Sequence, residues 1–254
     1  MNAEAVILGS GTSTGVPILG RTYSDSYLSN PKNHRMRSSL LLRGPTGNVL
    51  VDGGPDMRLQ LLRENVKELE AVLITHSHAD HVMGLDDLRS FTERTGLPVP
   101  IYTSPEYQAD LRRIFEYAFR DQAQGIMVPR FDLRDVPSTL PLAGLVIHTF
   151  WVEHGYLHAL GIRVGDFAYL TDVSAIPASA QPWVSNLDVL VIDAVRRKPH
   201  PTHMHLEQTL ATVAELKPRI AYLTHLSDDY DHDVTEAELP PNVRLAYDGL
   251  RIPL

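Results

Sequence analysis

The feature that most constrains this chain is a cluster of histidines at residues 75–81, which read Thr-His-Ser-His-Ala-Asp-His. An apolar run at residues 69–74 precedes the cluster and is typical of a buried strand. Leu85, Leu88 and Phe91 follow at helical spacing, so the cluster is predicted to lie in a strand-to-helix loop. The cluster predicts a site for two cations, one bound by His76 and His78 and the other by Asp80 and His81. These donors suit zinc, with manganese or iron as alternatives.

Composition restricts the classes of protein that remain. A chain of 254 residues with 43% hydrophobic content fits one α/β domain, predicted to span residues 1–254. The net charge of -8 argues against a broad, sequence-independent nucleic-acid surface. The absence of cysteine excludes disulfides, thiolate metal sites and a cysteine nucleophile. Residues 1–4 do not resemble a signal peptide and no apolar run reaches the ~20 residues of a membrane span, which predicts a soluble, cytoplasmic protein.

Apolar periodicity predicts strands separated by helices, and therefore sheets with helices on their outer faces. The predicted strands are residues 5–8, 38–42, 49–52, 69–74, 99–102, 145–152, 160–164, 167–170, 187–192, 220–223 and a strand near residue 245. The predicted helices are one from the histidine loop to about residue 93, with others at residues 105–119 and 206–216 and one starting at Pro55, while residues 122–142 are mixed. Two alternatives stay open for the Gly/Ser/Thr-rich residues 9–17: an anion-binding loop or a plain connection.

Three later strands each end in a residue that can bind a metal, namely His154, Asp172 and His225. A single such residue is usually part of a turn, but three of them downstream of the histidine loop form a much stronger signal. Asp52 ends an earlier strand, and it is predicted either to orient a metal-bound histidine or to serve as a turn residue.

The order of the histidine loop, His154, Asp172 and His225 resembles the metallo-β-lactamase superfamily. That resemblance implies a four-layer αβ/βα sandwich with a two-metal site along one edge of its two sheets. It implies two sets of ligands, His76, His78 and His154 for the first metal and Asp80, His81 and His225 for the second. Asp172 would bridge the two metals. His158 competes with His154, which is preferred because it directly follows its strand.

Within that superfamily, residues 9–17, 52–56, 84–89, 203–206 and 247–249 resemble the phosphoribosyl cyclic phosphate phosphodiesterases of phosphonate breakdown. The resemblance places His203 at the reacting phosphate. A two-metal site predicts attack by a metal-bridging hydroxide, oriented by Asp80, and a basic leaving group needs an acid. His203 is predicted either to be that acid or to be an ordinary loop histidine. His205 would cap the following helix or orient His203.

One departure from that branch concerns a structural zinc. Typical members carry a cysteine cluster soon after the first loop and a histidine three residues past the last active-site ligand. Here residues 20–26 contain no cysteine, and the later position is Asp228. Two catalytic metals and no third are therefore expected.

The expected function is hydrolysis of a small cyclic, phosphoribosyl- or nucleotide-like phosphodiester. Three alternatives stay open. The first is tRNA 3′-end processing, although the chain has no long basic insertion for gripping tRNA. The others are thioester or lactam hydrolysis, which gives His203 no role, and a non-catalytic metal-binding protein. Arg196, Arg197 and Lys198 are predicted to form a solvated turn or to receive a substrate phosphate. No membrane partner is expected, and the oligomeric state is open, with a homodimer as one alternative.

Overall fold

In this computed structural model, residues 3–120 and 126–254 are described, and within them the chain forms fourteen strands and seven α-helices. The strands are β1 (Glu4–Gly9), β2 (Ser39–Arg43), β3 (Asn48–Val51), β4 (Ala71–Leu73), β5 (Val99–Thr103), β6 (Phe131–Asp135), β7 (Thr139–Leu142), β8 (Leu145–His154), β9 (Leu157–Val164), β10 (Phe167–Leu170), β11 (Val189–Asp193), β12 (Ile220–Thr224), β13 (Val243–Leu245) and β14 (Arg251–Pro253). The helices are α1 (Asp25–Ser29), α2 (Met57–Arg63), α3 (Ala79–Val82), α4 (Arg89–Thr95), α5 (Pro105–Ile114), α6 (Leu206–Leu216) and α7 (His232–Glu236).

The strands form two seven-stranded sheets. The first has the order β14-β1-β2-β3-β4-β5-β6 and the second has the order β13-β12-β11-β10-β9-β8-β7. Each sheet contains four consecutive parallel strands, β3 to β6 in the first and β10 to β13 in the second. Parallel neighbours need crossover connections, and the chain supplies helices for them: α2 between β3 and β4, and α6 between β11 and β12.

Apolar side chains fill the space between the two sheets and also cover both outer faces. Ile7 and Val51 of the first sheet share the inner core with Ile162 and Val191 of the second. The outer face of the first sheet packs against α2, α3 and α5. The outer face of the second sheet packs against α6. The layers thus run helix, sheet, sheet, helix, which confirms the predicted αβ/βα sandwich. Burial on both faces is also why several strands read as unbroken apolar runs.

The predicted helix after the histidine loop is wrong in one respect, because it is broken. Helix α3 ends at Val82, a 3₁₀ turn covers Leu85–Leu88, and α4 follows. The break lies at Gly84, where the backbone N–H donates to the carbonyl of Gly53 and an added Cβ would come within 2.0 Å of the Gly54 carbonyl oxygen. Close backbone packing overrides the helical periodicity here.

Other differences are smaller. The helix predicted at residues 105–119 ends at Ile114 and gives way to a 3₁₀ turn, and α2 begins at Met57, two residues after Pro55. Strands β6 and β7 occupy part of the stretch read as mixed, while residues 121–125 lie outside the described residues. Strand β14 and the short helices α1 and α7 were not predicted. None of the described helices has the length and apolar character needed to cross a bilayer. The assignment of residues 1–254 to one domain stays a prediction.

The approach of Gly54 to the histidine loop leads to a stability prediction. An added Cβ at Gly54 would lie 1.9 Å from the backbone oxygen of Asp80, so Gly54→Ala should force two backbone segments apart. We expect Gly54→Ala to lower the free energy of unfolding by about 1–3 kcal/mol, the usual cost of overpacking. Gly53→Ala is a matched control, because its Cβ would meet the flexible ends of Leu85 and Met57 and should cost less. Equal urea midpoints for wild type and Gly54→Ala would contradict the close approach.

Candidate metal centre

The candidate site lies where strands from both sheets end at the same edge of the sandwich. Strand β3 leads into Asp52, β4 leads into the histidine loop, and β8 ends at His154. Strands β10 and β12 lead into Asp172 and His225. Open α/β sheets bind ligands at the carboxyl ends of their strands, which is the edge where these side chains meet.

Three imidazole nitrogens form the first group of donors. His76 Nε2 lies 2.9 Å from His78 Nδ1, and His154 Nε2 lies 3.3 Å from the same atom. A tetrahedral zinc ion with Zn–N bonds of 2.0–2.1 Å would place its nitrogen ligands about 3.3 Å apart. The three rings therefore stand at separations that suit one cation. His158, the competitor to His154, points into solvent from β9 and takes no part.

Asp80, His81, Asp172 and His225 form the second group, whose donor atoms all lie within 4.8 Å of one another. His81 Nε2 is 3.2 Å from Asp172 Oδ2 and His225 Nε2 is 3.4 Å from Asp172 Oδ1. His76 Nε2, in the first group, is 3.8 Å from Asp172 Oδ1. The carboxylate of Asp172 consequently stands between the two groups.

Buried ring nitrogens without hydrogen-bond partners test whether these residues suit a metal. Among the described residues, His81 Nε2 and both nitrogens of His225 are buried and make no hydrogen bond. A buried polar atom without a partner is costly, and a cation would supply the missing contact. Imidazole nitrogens and carboxylate oxygens are also the donors that zinc and its neighbours prefer. The residues fit a divalent metal centre.

The protonation states of the donors differ, and a ring that holds a proton in the metal-free site must release it when a metal binds. Burial lowers the pKa of His154 to about 4, so its ring is neutral near pH 7. Burial opposes charge on His225 as well, but the carboxylates of Asp172 and Asp80 outweigh burial and raise its pKa to about 9. Although burial alone would raise it, His225 and His81 hold the pKa of Asp172 well below its usual range. The carboxylate is therefore ionised and available as a ligand.

Outer contacts fix the orientation of two rings. Asp52 is fully buried and its Oδ2 lies 2.7 Å from His81 Nδ1, which leaves Nε2 facing the cluster. Asp52 also accepts hydrogen bonds from the backbone N–H and the hydroxyl of Thr75. His154 Nδ1 lies 2.8 Å from the carbonyl oxygen of Thr202. Of the two alternatives for Asp52, the orienting one agrees with these contacts.

Asp193 is a site residue that the sequence analysis missed. This carboxylate is fully buried, and its Oδ2 lies 2.7 Å from His203 Nδ1. Its Oδ1 is 3.8 Å from His225 Nδ1, so it stands between the two rings. The signal that found the other residues applied here too, because Asp193 is an acidic residue at the end of the apolar strand β11.

Two predicted roles are revised. His205 occupies the N-cap position of α6 but makes no side-chain cap hydrogen bond, and Asp193 rather than His205 is the residue that contacts His203. The loop at residues 9–17 is a connection, because the N–H groups of Gly11, Thr12 and Val16 donate to backbone carbonyls elsewhere in the protein. These amides are engaged and do not form an anion site.

Charged residues near the site are also committed to local contacts. Arg196 donates to the carbonyls of Lys198 and Pro199, as expected of a turn, and Arg197 pairs at 2.8 Å with Glu238, which lies 41 residues further along the chain. Asp228 accepts hydrogen bonds from Arg21 and Tyr23, which ties residues 20–26 to the loop that follows β12.

Comparison with known proteins agrees with this geometry. The family described as "Beta-lactamase superfamily domain" matches residues 47–226. A crystal structure of a diphosphatase from the PhnP family superposes with a TM-score of 0.91 at 38% identity, covering 100% of this chain and 98% of that one. The chain belongs to the metallo-β-lactamase superfamily of hydrolases, and within it to the PhnP-like branch.

Two curated proteins with other activities are also similar in sequence to this chain. An octanoyltransferase from Porphyromonas gingivalis is 35% identical over 252 residues, which is 97% of this chain and 51% of that protein. A ribonuclease Z from Treponema denticola is 26% identical over 179 residues, which is 66% of this chain and 51% of that protein. The chain thus spans about half the length of these curated relatives.

The two groups of donors lead to a prediction of metal content. We expect elemental analysis of gently purified protein to find two transition metals per chain. No third is expected, because Asp228 stands where the resembling branch has a histidine ligand, and its Oδ2 lies 2.6 Å from Arg21 Nη1. A stoichiometric third metal would contradict this expectation.

The contact between Asp52 and His81 leads to a prediction of metal affinity. Asp52→Asn places an amide group against a ring N–H and loosens the orientation of His81. Loss of such an outer contact typically costs 10–100-fold in metal affinity, and we expect about that loss for one of two metals in chelator competition. Asp56→Asn is the matched control, because Asp56 pairs with Arg37 outside the cluster. Unchanged affinity in Asp52→Asn would refute an orienting role.

Proposed function

We propose that this chain is a metal-dependent phosphodiesterase acting on small phosphodiesters, among them cyclic esters of sugars. The observation that carries the proposal is the His203–Asp193 pair beside the candidate metal centre. A hydrolase that cleaves an alkyl phosphodiester must protonate a strongly basic leaving oxygen, and it needs an acid next to the metals for that step.

The proposed ligands follow the two groups of donors. One cation would be held by His76, His78 and His154 and the other by Asp80, His81 and His225, with Asp172 shared between them. Zinc suits the donor set best, and manganese or iron are alternatives. When bound, two such cations would supply an activated water and neutralise charge on the phosphate oxygens.

Asp80 is proposed to orient the attacking water as well as to bind a metal. Its Oδ2 lies 3.2 Å from His81 Nε2 and 3.6 Å from His225 Nε2, which leaves Oδ1 for a further hydrogen bond. Asp80 is 9% exposed, whereas Asp172 is 1% exposed, so Asp80 is the carboxylate that a water molecule can reach.

His203 is proposed as the acid that protonates the leaving group. Its ring stacks on His225 with centroids 4.7 Å apart, and its Nδ1 is held by Asp193. Nε2 is then the atom that can donate a proton to a departing oxygen. The carboxylate of Asp193 stabilises the protonated ring, as a buried orienting carboxylate does beside other catalytic histidines.

The PhnP-family diphosphatase supports a second candidate, hydrolysis of a phosphoanhydride, because it resembles this chain over its whole length. The departing group would then be a phosphate, which is a weaker base than an alkoxide. A tRNA substrate, suggested by the ribonuclease Z relative, is disfavoured by the net charge of -8. The octanoyltransferase is about twice as long as this chain, and its activity is not transferred here.

Substitution of His203 tests the proposal. General acid catalysis contributes about 10²–10⁴-fold, so His203→Ala should lose roughly that much turnover on an alkyl or sugar phosphodiester. The loss should be much smaller on bis(p-nitrophenyl) phosphate, because nitrophenolate is a weak base that leaves without a proton. A diphosphate ester should also show a small loss. Metal content should be unchanged, as His203 is not a proposed ligand.

Each result for His203→Ala has a definite meaning. Equal losses on the alkyl and nitrophenyl diesters, with both metals retained, would contradict the role of His203 as acid. Loss of a metal would show that His203 is a ligand. If wild type hydrolyses a diphosphate ester far faster than any phosphodiester, the second candidate replaces the first.

A further inference from the structure

His200 is a histidine beside the site that the proposed chemistry leaves without a role. It lies in the loop between β11 and α6, and its ring centroid is 4.8 Å from that of His203, with the two planes at 70°. The ring is only partly buried. Thr202, two residues further on, is also the residue whose carbonyl oxygen lies 2.8 Å from His154 Nδ1. One short loop therefore sets the positions of His200, the proposed acid and a proposed metal ligand.

The hydrogen bonds of His200 determine which nitrogen carries the proton. The backbone N–H of Thr202 donates to His200 Nδ1 at 3.3 Å, and the Thr202 hydroxyl lies 3.3 Å from the same atom. A backbone N–H can only donate, so Nδ1 must be the acceptor. The proton of the neutral ring is then on Nε2.

The neutral state of this ring agrees with its surroundings. Burial, the nearby His203 ring and the Arg196 guanidinium lower the pKa of His200 to about 4. In the part of the chain that the structure describes, no acceptor pairs with Nε2, and this atom is not among the buried polar atoms that lack a partner. His200 therefore presents an uncharged N–H to the solvent beside His203.

We propose that the Nε2–H group of His200 binds a hydroxyl oxygen on the leaving-group side of the substrate, and so selects esters of sugars. The inference rests on the proposed function, in which His203 protonates the neighbouring leaving oxygen. A neutral donor suits a hydroxyl, whereas a phosphate oxygen is better matched by a cation. The nearby guanidinium groups of Arg196 and Arg197 are already engaged in loop contacts.

Two substitutions separate this binding role from a role in holding the loop. His200→Asn keeps an acceptor near the Nδ1 position and removes the Nε2–H donor. His200→Gln places an amide N–H near the Nε2 position and gives up the contact with Thr202. The substrates are a ribose cyclic phosphate and propane-1,2-diol cyclic phosphate, which share an alkoxide leaving group but differ in further hydroxyls.

We expect His200→Asn to raise KM for the ribose ester about 3–10-fold, the usual effect of losing one neutral hydrogen bond, with little change in kcat. KM for the propanediol ester should be unchanged in both variants. His200→Gln should retain most of the affinity for the ribose ester. His158→Asn is the matched control, because His158 is an exposed histidine on β9 outside the cluster.

The same contact is measured without turnover by calorimetric titration of ribose 5-phosphate and propyl phosphate into the metal-loaded protein. If His200→Asn weakens the binding of ribose 5-phosphate but not that of propyl phosphate, the contact is supported. This holds even if neither cyclic ester is hydrolysed, a separate result that would contradict the proposed function. Equal changes for both ligands, or no change for either, would overturn the assignment of His200. A lower affinity in His200→Gln than in His200→Asn would overturn the assignment, because it would show that His200 acts by holding the loop.

Discussion

The arrangement of the site depends on a buried carboxylate, Asp172, placed among imidazoles. A buried carboxylate is costly unless it is paired, and Asp172 has only 1% of its surface exposed. Oxygens of this group lie 3.2 Å from His81 Nε2 and 3.4 Å from His225 Nε2. The rings and the carboxylate therefore stabilise one another's charge. Two cations bound there would take the place of the ring protons as the positive partners of the carboxylate.

The chain reaches this arrangement through sharp turns at the ends of its strands. Asp52, Asp172 and His225 have φ angles of 62°, 53° and 58°, values in the left-handed region that few residues other than glycine adopt. Asp52 and His225 directly follow their strands and Asp172 lies two residues past the end of β10, so each turn bends the backbone away while the side chain stays at the sheet edge. Such strain, on the order of 1–3 kcal/mol for each residue, is characteristic of functional sites.

The loop between β11 and α6 joins the separate parts of the site. It begins at Asp193, which holds His203 and stands close to His225. It continues through Thr202, which contacts both His154 and His200. A displacement of this loop would move the proposed acid, a proposed ligand and the proposed hydroxyl contact together. Substitutions that shift the whole loop will therefore change several functions at once.

The local elements and most of the donors can be read from the residues alone. Residues 75–81 place three histidines and an aspartate in a few residues of chain, and His154, Asp172 and His225 follow apolar strands whose periodicity is visible without a structure. The order of these residues along the chain resembles the metallo-β-lactamase superfamily, and that resemblance predicted the αβ/βα arrangement. The strands and the donors at their ends depend on short-range patterns of apolar and polar residues, and such patterns are visible in the sequence.

Which side chains meet at the site depends on how the chain folds in three dimensions. Asp193 carries the same strand-end signal as the other donors, yet its carboxylate lies close to His225 because β12 pairs with β11 and brings His225 beside it. Helix α3 ends before Gly84 because two backbone segments pack closely there, and residues 9–17 form a connection because carbonyls distant in sequence accept their N–H groups. The outcome in each case depends on atoms that are far apart along the chain, and local periodicity contains no information about those distances.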